Sequence, residues 1–126
     1  MFWRFLTAML LVALPLATPT PTFAAEIVVD NSDASVQVKG NWTKTQTTSG
    51  FYGADYLFRT AGDGKSTVTY PFPSSSPSGK YTVFAQWSAG PNRATNAAYQ
   101  ITSNGGGSSV SVNQKTNGGS WQQLGN

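Results

Sequence analysis

Apolar and polar residues alternate in short runs along most of this chain, and the runs are too brief for helices. The clearest is KYTVFAQWS at 80–88. Tyr81, Val83, Ala85 and Trp87 fall on one side of an extended chain, with Lys80, Thr82, Gln86 and Ser88 on the other. A two-residue period is the signature of a half-buried strand. Phe84 interrupts the polar side and is expected to cover an edge. In SSVSVNQ at 108–114, Val110 and Val112 are expected to point inward together.

The same texture recurs in EIVV at 26–29, ASVQVKG at 34–40, DYLFRT at 55–60, STVTYPF at 66–72, AAYQIT at 97–102 and SWQQLG at 120–125. Turn-forming sequences separate these runs: AGDGK at 61–65, PSSSPSGK at 73–80, SNGGG at 103–107 and TNGG at 116–119. Short strands with turns at this spacing predict an all-β domain, an antiparallel sandwich or barrel. No internal repeat is visible.

The first residues do not fit this pattern. Arg4 precedes an apolar run at 5–16, and small residues follow at 22–25. That is the layout of a secretory signal peptide over 1–24, with cleavage expected after Ala24. The apolar run is short for a bilayer span, and Pro15 interrupts it. An uncleaved anchor is the competing reading. The module is then 25–126, secreted to an extracellular or periplasmic location and free of the membrane after cleavage.

Composition narrows the function. Charged residues are 10% of the chain and the formal net charge is +3, without a basic stripe, so nucleic acid is not an expected partner. The absence of cysteine means that an exported domain must rely on its core alone. The absence of histidine removes the commonest general base and metal ligand. The five carboxylates are Glu26, Asp30, Asp33, Asp55 and Asp63, and no spacing marks two of them as a facing catalytic pair. The chain is therefore expected not to be an enzyme. DNSD at 30–33 offers hard oxygen ligands through Asp30 and Asp33, a weak candidate for a structural calcium. Turn capping by Asp30 is the preferred reading, and no other cofactor is expected.

Aromatic rings are plentiful, and sugars lay their C–H faces on such rings while polar side chains take the hydroxyls. Trp87 alternates with core residues and is expected to be packing. Trp42 in KGNWTKT, Tyr52 in FYG and nearby Tyr56 stand in more open contexts and are the candidate platforms. The loop WSAGPNRATNAAYQI at 87–101 adds Asn92, Arg93 and Asn96. In one reading these three side chains take sugar hydroxyls or carboxylates. In the other, Arg93 pairs with Asp55 while Thr95 and Asn96 tie down the crossover, because a long polar loop needs internal partners to stay ordered.

Three stretches carry a family resemblance: EIVVDNSDASVQVKGNWTKTQTTSGFYGADYLFRT, GKYTVFAQWSAGPNRATNAAYQI and GGSSVSVNQKTNGGSWQQLG. With NRATNA and VNQ…NGGSW as its most specific parts, 26–125 resembles the golvesin C-terminal / xanthan lyase carbohydrate-binding-like domain. The resemblance implies a β-sandwich of jelly-roll, carbohydrate-binding-module type, a non-catalytic accessory to secreted bacterial enzymes. Polysaccharide or peptidoglycan is the implied partner, weakly bound. A structural or adhesive cell-surface module acting through protein contacts is the alternative. Two departures stand out: the leader runs straight into the module, and the chain stops at Gly125–Asn126 where similar domains continue with further strands. The last strands are therefore expected to be missing, leaving an unpaired sheet edge open to self-association.

Overall fold

The computed structural model describes residues 26–60 and 62–125. The expected leader at 1–24 lies outside the described residues. Among the described residues eight strands form: β1 (Gln37–Lys39), β2 (Thr43–Thr45), β3 (Tyr56–Phe58), β4 (Thr67–Thr69), β5 (Val83–Ala85), β6 (Ala97–Ser103), β7 (Gly106–Val112) and β8 (Gln122–Gly125). Every ladder is antiparallel, in the pairs β1–β4, β2–β3, β5–β8 and β6–β7. Among the described residues there is no helix. The fold is all-β and sandwich-like, built from short antiparallel pieces.

The longest ladder is the hairpin β6–β7, running from Ala97↔Val112 to Ser103↔Gly106. Its turn falls on the SNGGG sequence, and Gly106 takes the left-handed backbone (φ 122°) that a side chain would resist. Val110 and Val112 are half-buried while Ser109 and Ser111 are exposed, the alternation expected of them. Tyr99 of β6 lies 6.4 Å, ring to ring, from Trp87 just beyond β5. A Cβ on Gly125 of β8 would sit 3.4 Å from Ile101 Cδ1 of β6. The hairpin thus packs onto the β5–β8 pair, with Trp87 between them.

The core is thin. Trp87 is the one large hydrophobic side chain buried among the described residues, at 9% exposure. The Trp87 indole also donates to the Thr116 carbonyl at 3.1 Å, so its polar edge is satisfied.

The strand at 80–88 behaves partly as its pattern predicts. Tyr81, Val83 and Ala85 are half-buried, and Phe84 faces out at 47% exposure. The ladder is shorter than the pattern, ending at Ala85, and Ser88 on the expected polar side is buried. The cause is a change of partner. Beyond β5 the chain bonds to loops: Gln86 Nε2 donates to the Gly50 carbonyl (3.2 Å), Ser88 Oγ to the Thr48 carbonyl (2.9 Å), and Gly119 N–H to the Trp87 carbonyl (3.0 Å). A polar residue goes inside where a buried acceptor waits for it. The EIVV run at 26–29 forms no ladder among the described strands, although residues 27–29 are half-buried.

Candidate functional site

Strands β2 and β3 build one wall of a cleft. Their register sets Thr43 opposite Phe58 and Thr45 opposite Tyr56. Directly opposed residues share a face, and alternate residues face the other way. Thr43, Thr45, Tyr56 and Phe58 therefore line one side, while Lys44, Asp55 and Leu57 point to the other. Thr47 and Thr48 continue the hydroxyl row beyond β2, with Thr45 and Thr47 hydroxyls 3.1 Å apart. Asn92 and Arg93 form the opposite rim, and this open cleft has a volume of about 210 Å³.

The arginine is held from several sides. Pro91 and Asn92 occupy the middle of a turn closed by Arg93 N–H to the Gly90 carbonyl at 3.1 Å, with proline in the position that favours it. The guanidinium donates from Nε to the Ser88 carbonyl (3.2 Å), from Nη1 to Asn92 Oδ1 (2.6 Å) and from Nη2 to the Tyr56 hydroxyl (3.1 Å). It also lies 4.7 Å from the Phe58 ring centre and 5.7 Å from that of Tyr56. A cation over a ring gains from the quadrupole and is dried on that side. Phe51 stacks on Tyr56 at 5.4 Å, fixing the ring from the rear. Burial pushes the Tyr56 hydroxyl up, but hydrogen bonds from Thr48 and Thr47 and the Arg93 charge outweigh it, leaving the pKa below that of a free tyrosine.

The loop 90–96 is tied at its far end too. Gln114 N–H donates to the Ala94 carbonyl at 2.9 Å, and the Gln114 side chain donates to the Tyr99 hydroxyl at 2.8 Å. The loop is thus held from both ends by Ser88, Tyr56 and Gln114, and what it presents at the cleft is the Arg93 guanidinium and the exposed Asn92.

A second surface feature lies apart from the cleft lining. Tyr52 and Trp121 are 45% and 42% exposed, and their rings sit 5.5 Å apart at 49°. Two glycines bring them together: a Cβ on Gly50 would lie 3.1 Å from the Gly119 backbone.

Residues 27–126 match the family model of the golvesin C-terminal domain. The chain belongs to the golvesin C-terminal domain family. The solved structure of Paenibacillus xanthan lyase contains a region similar to it at 44% identity with a TM-score of 0.71. The likeness covers 77% of this chain and 9% of the lyase chain, so the chain spans only a small part of that enzyme's length. No curated protein matches the chain.

In this golvesin C-terminal domain the residues expected to form one site are scattered. Tyr56, Asn92 and Arg93 meet in the cleft. Trp42 is half-buried elsewhere: its indole donates to the Lys39 carbonyl (3.1 Å), and Arg59 lies 5.8 Å from its ring. Trp42 and Arg59 alternate with Thr43 and Phe58, which places them opposite the cleft. Tyr52 joins Trp121. Thr95 and Asn96 are exposed at the entry to β6 and line no part of the cleft.

The expected Arg93–Asp55 pair does not form. Asp55 accepts from Asn31 Nδ2 at 2.6 Å and faces Lys44 Nζ at 3.6 Å. Strand alternation explains it: Asp55 precedes Tyr56 and so points away from the cleft that Tyr56 lines. Asp30 and Asp33 cap their own turn: Ser32 Oγ donates to Asp30 Oδ2 (2.6 Å) and Asp30 N–H donates to Asp33 Oδ2 (2.6 Å). Among the described residues no three metal-ligating side chains cluster, and no helix is long and apolar enough to cross a membrane.

Sequence reasoning missed the threonine row and Phe58. The signal was present in TKTQTT at 43–48 and YLF at 56–58, two alternating runs that face the same way once paired. It missed Trp121 as a surface ring because nothing local tells a half-exposed tryptophan from a packed one.

Proposed function

We propose that this domain is a non-catalytic glycan-binding module of an exported protein, and that the β2–β3 cleft takes one sugar residue of a polysaccharide or cell-wall chain. The observation carrying this reading is Arg93, locked between Tyr56 and Ser88 at a rim facing a row of threonine hydroxyls. Hydroxyl, amide and guanidinium groups beside an aromatic ring match the mixed polar and C–H surface of a pyranose. The volume falls below the roughly 300–1,000 Å³ usual for drug-sized ligands, which fits a single ring of a longer chain. Four of the five carboxylates support the non-catalytic part: Asp30, Asp33, Asp55 and Asp63 are each engaged by a turn or a lysine. The leader-like start of the chain supports export.

Retention on insoluble glycans and purified cell walls tests the reading. Arg93→Ala and Tyr56→Ala are expected to abolish retention, and Trp42→Ala to leave it intact. Retention by all three variants would remove the cleft from the account.

A second reading, a surface module held by protein contacts, draws support from Val38, Tyr70, Phe72 and Phe84, all about half exposed. Binding to cell walls that disappears after the walls are treated with protease would favour it.

A further inference from the structure

We infer that the cleft selects a carboxyl-bearing sugar, with Arg93 as the group that reads the acid; this rests on the glycan-binding reading above and narrows its ligand. The inference begins with the charges around Arg93. Among the described residues all of its hydrogen-bond partners are neutral: a backbone carbonyl, an amide oxygen and a phenol. Asp55, the partner expected from the sequence, is committed to Lys44 and Asn31 on the reverse of the sheet. Asp63 pairs with Lys65, and Asp30 and Asp33 serve their own turn.

A guanidinium offers five N–H groups, and three are used, which leaves one on each terminal nitrogen. The Phe58 ring 4.7 Å away removes water from one face of the cation. A partly dried, preoriented and uncompensated guanidinium is suited to a carboxylate, which it bonds more strongly than a neutral hydroxyl. The Asn92 amide N–H groups and the Thr43 hydroxyl remain for the rest of the ring, beside the Thr45 and Thr47 hydroxyls that bond to each other. A peptide carboxylate would use the arginine but not the hydroxyl row, and this favours the acidic sugar.

The test compares a polyuronate with the same polymer after its carboxyl groups are reduced to alcohols, by affinity electrophoresis and calorimetry at low salt. The domain is expected to bind the acidic polymer at least about tenfold more tightly, a difference that shrinks as salt is raised. Arg93→Lys should weaken the acidic arm several-fold, and Arg93→Ala should remove the preference. Arg93 also anchors its loop, so Asn92→Asp provides a variant that keeps the Nη1 contact while supplying the missing carboxylate. It is expected to fold normally by circular dichroism and to lose the acidic preference. Equal binding of the acidic and reduced polymers, or an Asn92→Asp variant that keeps the preference, overturns the acid-reading inference and leaves glycan binding standing. Binding to neither polymer nor to any cell-wall glycan overturns both. A preference for free carboxylated peptides over the polyuronate also overturns it.

Discussion

Gly50 and Gly119 meet backbone to backbone. A Cβ on Gly50 would stand 3.1 Å from both the Cα and N of Gly119, and both glycines have positive φ, 99° and 80°. The contact draws the 48–53 and 116–121 segments onto the chain between them in space, residues 86–88, which bonds to both. The result is a clasp around Trp87.

Gly50→Ala should therefore be costly. The left-handed backbone alone penalises alanine by about 1–2 kcal/mol, and the crowded Gly119 backbone adds to it. A fall in the melting midpoint of roughly 10 °C is expected. Gly64→Ala supplies the comparison, since it shares the positive φ but has nothing within 4 Å of the new Cβ. Equal losses in the two variants would show that backbone strain, not the close approach, is responsible.

Ser88→Ala should destabilise out of proportion to its size. The hydroxyl is buried and satisfies the Thr48 carbonyl, so its removal leaves that acceptor without its partner at a cost of about 1–3 kcal/mol. Chemical denaturation should show the loss as a lower midpoint with unchanged slope.

Double-mutant cycles should separate the true partner of Arg93 from the expected one. Arg93 and Tyr56 are hydrogen-bonded at 3.1 Å, and a coupling of about 0.5–1.5 kcal/mol is expected in stability. Arg93 and Asp55 lie on opposite faces and should be additive within about 0.5 kcal/mol. Asp55→Asn keeps an amide oxygen for Asn31 and loses only the pair with the exposed Lys44, so a cost of about 1 kcal/mol is expected.

Alkali should weaken the fold through two tyrosines. Burial, reinforced by Tyr99 and Asp30, pushes Tyr70 up to about 12 from the usual 10.0. Burial also raises Tyr99, partly offset by the hydrogen bond from Gln114. Tyr70 shows half its surface to water, so its share is reduced by solvent screening. Each group holds its proton more tightly folded than unfolded. Stability is thus full below pH 10 and declines as pH rises toward 12. Melting midpoints across this range should fall less steeply for Tyr70→Phe than for the parent.

Much of the fold was legible because strand alternation is written locally. Val110 and Val112 turn inward as their neighbours dictate. Burial of Ser88 was not legible, since it depends on a carbonyl forty residues away in sequence. The site was half legible. Its arginine, Asn92 and Tyr56 stand out as residue types, whereas Thr43, Thr45 and Phe58 acquire meaning only through the β2–β3 register. The Arg93–Asp55 pairing failed on the same point: charge attracts, but the pleat decides which side chains can see each other.

The ladders also differ in how far along the chain their strands must search for one another. Residues 97–112 can zip as a neighbouring pair, whereas Val83 waits for Gly125 and Gln37 for Thr69. Local closure is fast and remote closure slow. A ribosome releasing this chain from its N-terminus would thus deliver the first halves of the remote ladders well before their mates. The cleft, whose β2 and β3 emerge early, would stay without its arginine until residue 93 had appeared.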